Sequence, residues 1–515
     1  MNSFDYKFDV PYFHETHDLH ETLSFVEFEK VVRPLIDEAI SVVDSALNRA
    51  DKSPQNIDGI LLAGGSSQLQ YVTETLEARY CRPVKLISKD IMWLIAKGAA
   101  IHHRDLLSRP YNSTKPILGA SLYIQTTNKG SMEPTLLVSG GQQLPHRYIR
   151  DFTINKHNPS LVIQLLTECA TTGDHLPLAK RTITFAGDNR GTVCVDISID
   201  KNRTIKVNVL DPQHKHILKN VEITGDVMSS NEEIRRVRQK YGFNIQPMNA
   251  VKGDQRFAVG IDLGTTTCEV IVFDLERQCF EHGLPEPQMS QVFVVDNKTV
   301  RVDNGDYNPT TSGYFSNFKV DIGGEIRSDS RYHIGDCTWS PEILSAHLLA
   351  MIWSQLQAKY GTRSTLSSAV ITVPSDFTSD QCAIVERAAK IAGIEFPILL
   401  SEPAAAFLTY AAEIPTLRAP EQHYLVFDFG GGTTDVCIVK TQDEPPVSIL
   451  AAAGNNALGG NDLTRRIADF VVKKFSASSG LCLSTIEQQG LCRQLFRTAD
   501  KAKSQLSTVL MTGQL

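Results

Sequence analysis

No glycine-lysine-serine or glycine-lysine-threonine sequence occurs in the 515 residues of this chain. That excludes the phosphate loop in which a glycine turn opens a helix and a lysine follows it. The 10 cysteines form no Cys-x-x-Cys pair and no Cys/His cluster at zinc spacing. Scattered singly, they read as buried thiols of a reducing compartment rather than as a disulfide framework. Long apolar runs are missing too, none approaching the roughly 20 residues of a membrane span. The start, Met1-Asn2-Ser3-Phe4-Asp5-Tyr6, has neither a basic nor an apolar signal region, so no export is expected. Basic charge is in deficit, with 51 Lys and Arg against 58 Asp and Glu, which leaves no nucleic-acid footprint. The expectation is a soluble cytoplasmic protein with no nucleic-acid or membrane partner.

What is present is ordinary globular composition, 42% apolar and 21% charged, in a chain longer than the roughly 250–300 residues at which single cores stop growing. More than one domain is therefore expected. Residues 4–12 alternate (Phe4, Tyr6, Phe8, Val10, Tyr12) as a half-buried strand does. Ser24-Phe25-Val26-Glu27 is a capping box opening an amphipathic helix to about Asn48. The run Ile60-Leu61-Leu62-Ala63, the turn Gly64-Gly65-Ser66-Ser67 and a helix over 69–79 make a strand, glycine turn and helix. A helix over 92–102 carries the small residues Ala96, Gly98, Ala99 and Ala100, which suit close packing. Residues 104–116, polar and with two prolines, read as a linker after a first region of 1–103.

Over 117–226 the texture changes to short alternating runs, such as 161–165, 193–199 and 205–209, broken by turn clusters such as 187–191. This reads as an all-β domain. A segment of 227–256, with a short charged helix over 232–241, leads into a second α/β region, 257–515. There, strands at 257–262, 268–274, 368–373, 423–428 and 434–440 alternate with helices near 341–359, 378–392, 403–412, 461–475 and 485–504. Residues 509–515 look like a strand beginning.

Two stretches of that region carry chemistry. Each is a strand, an Asp at its end, a glycine/threonine turn and a second strand: Asp262-Leu263-Gly264-Thr265-Thr266, and Asp428-Phe429-Gly430-Gly431-Gly432-Thr433. Glycines let backbone N–H groups approach phosphate oxygens, and such turns form anion-binding nests. Threonine hydroxyls add donors. Paired aspartates suit Mg²⁺ held through its retained waters, because that ion dehydrates reluctantly. Beside these hairpins, Gly64-Gly65-Ser66-Ser67 reads as a nucleoside cradle.

These residues, with Ile371-Thr372-Val373-Pro374, Ser401-Glu402-Pro403-Ala404-Ala405-Ala406 and Leu458-Gly459-Gly460-Asn461-Asp462, resemble the nucleotide-binding domain of the seventy-kilodalton heat-shock chaperones (the DnaK type). The resemblance implies an α/β, actin-like (ribonuclease H-like duplicated) ATPase domain and a β-sandwich for peptide, with ATP/ADP, Mg²⁺ and K⁺ as ligands. It also implies unfolded or extended peptide segments, a J-domain co-chaperone and a nucleotide-exchange factor as partners. The order of the parts is unusual. Residues 14–103 resemble the last part of that domain, 116–226 the β-sandwich, and 257–515 the first part. The chain thus resembles a circularly permuted member, its ATPase domain split between the chain ends. The competing reading is a join of two fragments that complement each other between chains.

Residue by residue, the resemblance makes Asp262 and Asp428 the holders of the Mg²⁺ shell. It makes Gly264, Thr265, Thr266, Gly430, Gly431, Gly432 and Thr433 the grip on the β- and γ-phosphates. Lys319 matches the lysine that positions the attacking water, Glu402 the acid beside metal and water, and Asp435 a ligand of a monovalent cation. Gly64, Gly65, Ser66, Gln68, Gly460, Asp500, Lys503 and Ser507 fall around adenine and ribose. Phe152, Leu161, Val162 and Ile163 fall at the peptide pocket, with core packing of a sandwich as the other reading of those four.

Departures are clear as well. Gln68 replaces an arginine that stacks near adenine, Asp500 a longer acid, and Ser504 a residue flanking the base. The segment between Lys319 and Pro341 is short, Leu106-Leu107-Ser108-Arg109-Pro110 lacks the family's run of leucines, and Asn155 stands where a small apolar residue arches over peptide. Residues 229–242 supply only a few turns in place of a helical lid. Two functions follow: a lidless heat-shock-type ATPase that binds and releases peptide, or a nucleotide-binding but hydrolysis-poor regulatory or interaction module. A sugar or acetate-type kinase is disfavoured by the β-sandwich.

Overall fold

The computed structural model describes residues 5–14, 17–85, 91–108, 122–128, 131–139, 142–153, 160–168, 175–184, 192–200, 205–211, 217–222, 231–245, 255–296, 299–302, 313–324, 332–334, 337–361, 363–442, 447–480 and 492–508. The expected strand over 509–515, the turn cluster 187–191, Asn155 and linker residues 109–116 lie outside them. Among the described residues no helix is long and apolar enough to cross a membrane.

Two sheets of one plan, of six and five strands, organise the α/β part; the extra strand of the first, Gln288–Met289, pairs with Thr267–Asp274. In the first, Cys279–His282, Thr267–Asp274 and Phe257–Leu263 run antiparallel, and Ser368–Val373 and Phe396–Ser401 then continue in parallel. In the second, Val447–Asn455, Thr434–Thr441 and His423–Phe429 are antiparallel, followed in parallel by Gly59–Ala63 and Val84–Lys85. The second sheet therefore takes three strands from the C-terminal region and two from the N-terminal one. Phe257–Leu263, Ser368–Val373 and Gly59–Ala63 are buried along their whole length, as strands covered on both faces must be.

The helices Leu94–Ser108 and Glu402–Glu413 pack on each other, and their small residues set how closely. A Cβ on Gly98 would lie 1.7 Å from the carbonyl oxygen of Ala405. The first helix also reaches the first sheet. His103, 1% exposed, meets the Val259 amide nitrogen at 2.8 Å through Nδ1 and the Ser368 hydroxyl at 2.9 Å through Nε2. This helix runs on to Ser108, past the expected linker start at Arg104. Leu106 packs into the core beneath it, and the Arg104 guanidinium lies over the Phe273 ring at 5.3 Å.

The capping box is present as read: Ser24 Oγ accepts from the Glu27 amide, and the Glu27 carboxylate accepts from the Ser24 amide, at the start of Phe25–Arg49. The hairpin Asp5–His14/His17–Ser24 buries Phe8, Val10, Leu19 and Leu23 in one core with Leu495, Ala502 and Leu506 of the helix Cys492–Thr508. The two ends of the described chain thus share one core. Residues 481–491, the expected start of that helix, lie outside the described residues.

The β region forms two four-stranded sheets. One orders Ile217–Glu222, Ile205–Leu210, Thr192–Ile199 and His146–Thr153; the other Ser131–Val138, Leu122–Asn128, Ser160–Glu168 and His175–Thr184. They share a core that includes Ile124, Ile163, Leu165, Val195, Ile197 and Val207. The helix Asn231–Lys240 packs on the first α/β core through Ile234. Arg238 donates to the Lys390 and Ile391 carbonyls at 2.6 and 2.9 Å, where the helix Ser379–Ile391 ends. Its partners are thus in the α/β part.

Candidate functional site

The two phosphate-type hairpins face each other. Asn461 bridges their rims, its backbone amide donating to the Gly431 carbonyl at 2.7 Å and its side-chain amide to Thr266 Oγ1 at 3.4 Å. The cleft they form holds about 520 Å³, part of it open to solvent. Gly64, Gly65, Asp262, Gly264, Thr265, Thr266, Lys319, Glu402, Asp428, Gly430, Gly431 and Thr433 line it, together with Thr267, Glu269, Ile91, Met92 and Ile95. Gly432 of the second turn packs against the first, where a Cβ would come 2.7 Å from Thr265 Cγ2.

Lys319 sits on the short turn Phe318–Asp321 and Glu402 opens the helix Glu402–Glu413; their side chains form an ion pair inside the cleft. Burial would neutralise the Lys319 ammonium, but Glu402 and Asp262 more than offset it, so its pKa is raised. It is the one basic side chain lining the cleft among the described residues.

Carboxylates crowd around it. Asp262 accepts from the Thr372 hydroxyl at 2.7 Å, and its pKa is pushed up to about 7, first by burial and then by Glu402. Burial, Glu402 and Asp435 raise Asp428 well above the usual range. Burial and Asp376 do the same for Asp435, against the pull of the Ser375 amide and hydroxyl at 2.6 and 2.9 Å. One buried oxygen each of Asp428, Asp435 and Glu269 (Oδ2, Oδ2 and Oε1) has no hydrogen-bond partner. Buried carboxylate oxygens without a partner fit a hard cation, which supplies the missing charge. Among the described residues no three His, Cys, Asp or Glu side chains converge closely enough to form a metal cluster. Mg²⁺ needs no such cluster, because it keeps most of its waters and takes one or two carboxylates.

The turn Gly64-Gly65-Ser66-Ser67 stands directly behind the second hairpin. Gly64 has φ +76, and a Cβ there would lie 2.4 Å from Asp428 Oδ1. Ser66 Oγ donates to the Gly430 carbonyl at 3.1 Å, and the Gly460 amide donates to the same oxygen at 2.9 Å. Lys503 Nζ donates to the Gly460 carbonyl at 3.1 Å and pairs with Asp500 at 2.7 Å. Gly460, Asp500 and Lys503 therefore form one cluster beside the cleft, and Gln68 is exposed nearby. Ser507 lines a groove between Phe25–Arg49 and Gln70–Tyr80.

In the sandwich, Ile163 is fully buried between the two sheets. That corrects its placement at a peptide pocket: inward-facing residues of a sandwich fill its core. Phe152 is half-buried at the core's edge, with the Arg150 guanidinium over its ring at 6.0 Å. Leu161 and Val162 pair in register with Ile183 and Thr182, and their side chains lie outside the described residues.

Sequence reasoning missed three groups here. Glu269 is the cross-strand partner of Asp262, as Asp435 is of Asp428. The signal was available, since each hairpin has six residues between its two acids. Asp376 stands close enough to Asp435 to raise it. Met92, flanked in the cleft by Ile91 and Ile95, is an apolar wall with no motif of its own.

The family model described as Hsp70 protein matches residues 2–246 and 315–514. The match includes Gly64, Lys319, Glu402, Asp428 and Asp435 and leaves out 247–314, which carry the first hairpin.

Proposed function

This chain belongs to the Hsp70 family, and on that footing we propose that it is a chaperone that hydrolyses Mg-ATP in the cleft between its hairpins. Membership supports a chaperone role and ATP with Mg²⁺ as ligands. The observation that carries the hydrolytic reading is the buried Lys319–Glu402 pair set between the two aspartate-ended turns.

Backbone N–H groups of the two turns and the hydroxyls of Thr265, Thr266 and Thr433 donate to the β- and γ-phosphates. These donors are fixed before the reaction, so they stabilise charge spreading over the phosphoryl oxygens without reorganising. The Lys319 ammonium, held in place by Glu402, orients the attacking water in line with the γ-phosphorus. No covalent nucleophile takes part. Asp262 and Asp428 would hold Mg²⁺ through its waters, where it neutralises charge on the phosphates. Asp435 would serve a monovalent cation such as K⁺. Gly64, Gly65, Ser66, Gly460, Asp500 and Lys503 would enclose the nucleoside.

We further infer a permuted order, with 1–103 completing the ATPase domain begun at 257–515 and a sandwich at 117–226 between them. The parallel pairing of Gly59–Ala63 with His423–Phe429 supports it, and so does the core common to Phe8 and Leu506. The sandwich would bind extended peptide through Phe152, Leu161 and Val162. Without a lid over them it would release peptide fast.

Single-turnover hydrolysis by the protein and by Lys319→Ala tests the chemistry. A fall of about a hundredfold or more in the variant is expected, in line with losing one charge-stabilising group. Equal background rates in both would sink the hydrolytic reading.

A further inference from the structure

The hairpins repeat a feature that the phosphate-binding reading does not use. Asp262 and Glu269 are direct cross-strand partners in the first, and Asp428 and Asp435 in the second. Partners directly opposite on an antiparallel pair lie on one face, with Cβ atoms about 4.5–5.5 Å apart, and like charges there repel. In the second hairpin the repulsion is relieved on one side, because Asp435 Oδ1 accepts from the Ser375 amide and hydroxyl. Glu269 has less. Its carboxylate accepts from the Thr267 hydroxyl, yet Oε1 has no partner, the residue is 2% exposed, and it lines the cleft. The one basic side chain lining the cleft, Lys319, is committed to Glu402.

A buried, bare carboxylate oxygen beside a second carboxylate is a half-built ligand set for a hard cation. When both are ionised the pair carries two negative charges, which a divalent ion balances and a monovalent one does not. We propose that Glu269 is a direct cation ligand, and that with Asp262 it forms a two-carboxylate site that holds a divalent cation in the absence of nucleotide. Remaining positions on the ion belong to water, in keeping with the absence of a three-ligand cluster among the described residues. The cleft then carries its ion before ATP arrives, instead of receiving it only with the phosphates.

The test uses Mn²⁺ alone on the full-length, nucleotide-free protein, so its failure leaves the ATP reading standing. Free Mn²⁺ is followed by electron paramagnetic resonance in chelator-treated buffer. The protein should bind one Mn²⁺ per chain, Glu269→Gln should weaken that binding at least tenfold, and Asp376→Asn should change it less than twofold. Absence of binding by the unmodified protein would overturn the proposal. So would equal affinity in Glu269→Gln, or an equal loss in Asp376→Asn, which would mean a diffuse acidic field. Thermal unfolding guards against a misfolded variant. Without metal, Glu269→Gln should melt no lower than the parent, because one of two facing carboxylates is gone. The rise in midpoint that Mn²⁺ gives the parent should vanish. If K⁺ at the same concentration raised the parent's midpoint as much as Mn²⁺, the divalent assignment would fall.

Discussion

Lys319 and Glu402 are ion-paired inside the cleft with side chains 3% and 7% exposed, drawn from a short turn and a helix start 83 residues apart. A pair so placed fixes the lysine and makes each partner dependent on the other. Removing one leaves a buried, uncompensated charge, which typically costs about 3–5 kcal/mol. Lys319→Met should therefore lower stability by roughly that amount in denaturant unfolding. The double variant Lys319→Met with Glu402→Gln should recover most of it while staying inactive. If the single variant proved as stable as the parent, the pair would be a solvated contact.

Gly64→Ala tests how tightly the N-terminal turn is joined to the second hairpin. The added Cβ would meet Asp428 Oδ1 at 2.4 Å and the Phe429 carbonyl oxygen at 2.5 Å, on a backbone with φ +76. Strain of this kind costs about 1–3 kcal/mol, and relief would displace Asp428. ATP affinity by calorimetry should drop at least tenfold with the far-ultraviolet dichroism unchanged. Unaltered affinity would mean that the turn gives way without moving the hairpin.

A pH effect should arise far from the cleft. Burial pulls His103 down to about 4, and His347 likewise. Unfolded, each titrates near 6.5, so between those values the unfolded chain binds the extra proton. The stability that each neutral histidine contributes is thus complete above about 6.5 and declines as pH falls towards 4. Each histidine accounts for about 3 kcal/mol of that decline. His103→Gln should reduce the fall in urea midpoint between pH 6.5 and 4.5 relative to the parent. An unchanged slope would mean that His103 becomes accessible before it protonates.

If one nucleotide site is built from both chain ends, Mg-ATP must protect both. Amide exchange should slow together in 59–65 and in 428–433. Protection confined to the second segment would remove the N-terminal turn from the site.

Much of this was legible because the informative elements are local. The capping box at Ser24, the two glycine/threonine turns and the Gly64-Gly65-Ser66-Ser67 turn are short sequences with one structural meaning each. Elements whose meaning is relational were not. His17–Ser24 buries only Leu19 and Leu23 deeply, so it shows no clear alternation; pairing with Asp5–His14 makes it a strand. Val84–Lys85 is two residues long and exists by virtue of its neighbour Gly59–Ala63. Residues 104–108 look polar enough for a linker, and only the helix–sheet contacts of Arg104 and Leu106 make them helical. Glu269 was hidden in an apolar run, since its role depends on register. Lys319 was found by resemblance alone, its turn having no periodicity to read.

The parallel pairing of Gly59–Ala63 with His423–Phe429 also sets a clock for synthesis. Ser66 leaves the ribosome 364 residues ahead of its partner Gly430, roughly 20–70 s at ordinary elongation rates. For that interval the apolar strand beside it has only Val84–Lys85 to pair with, and its other edge is open. A protein of chaperone lineage thus begins life as a nascent chain with one strand edge unpaired until its C-terminal half is made.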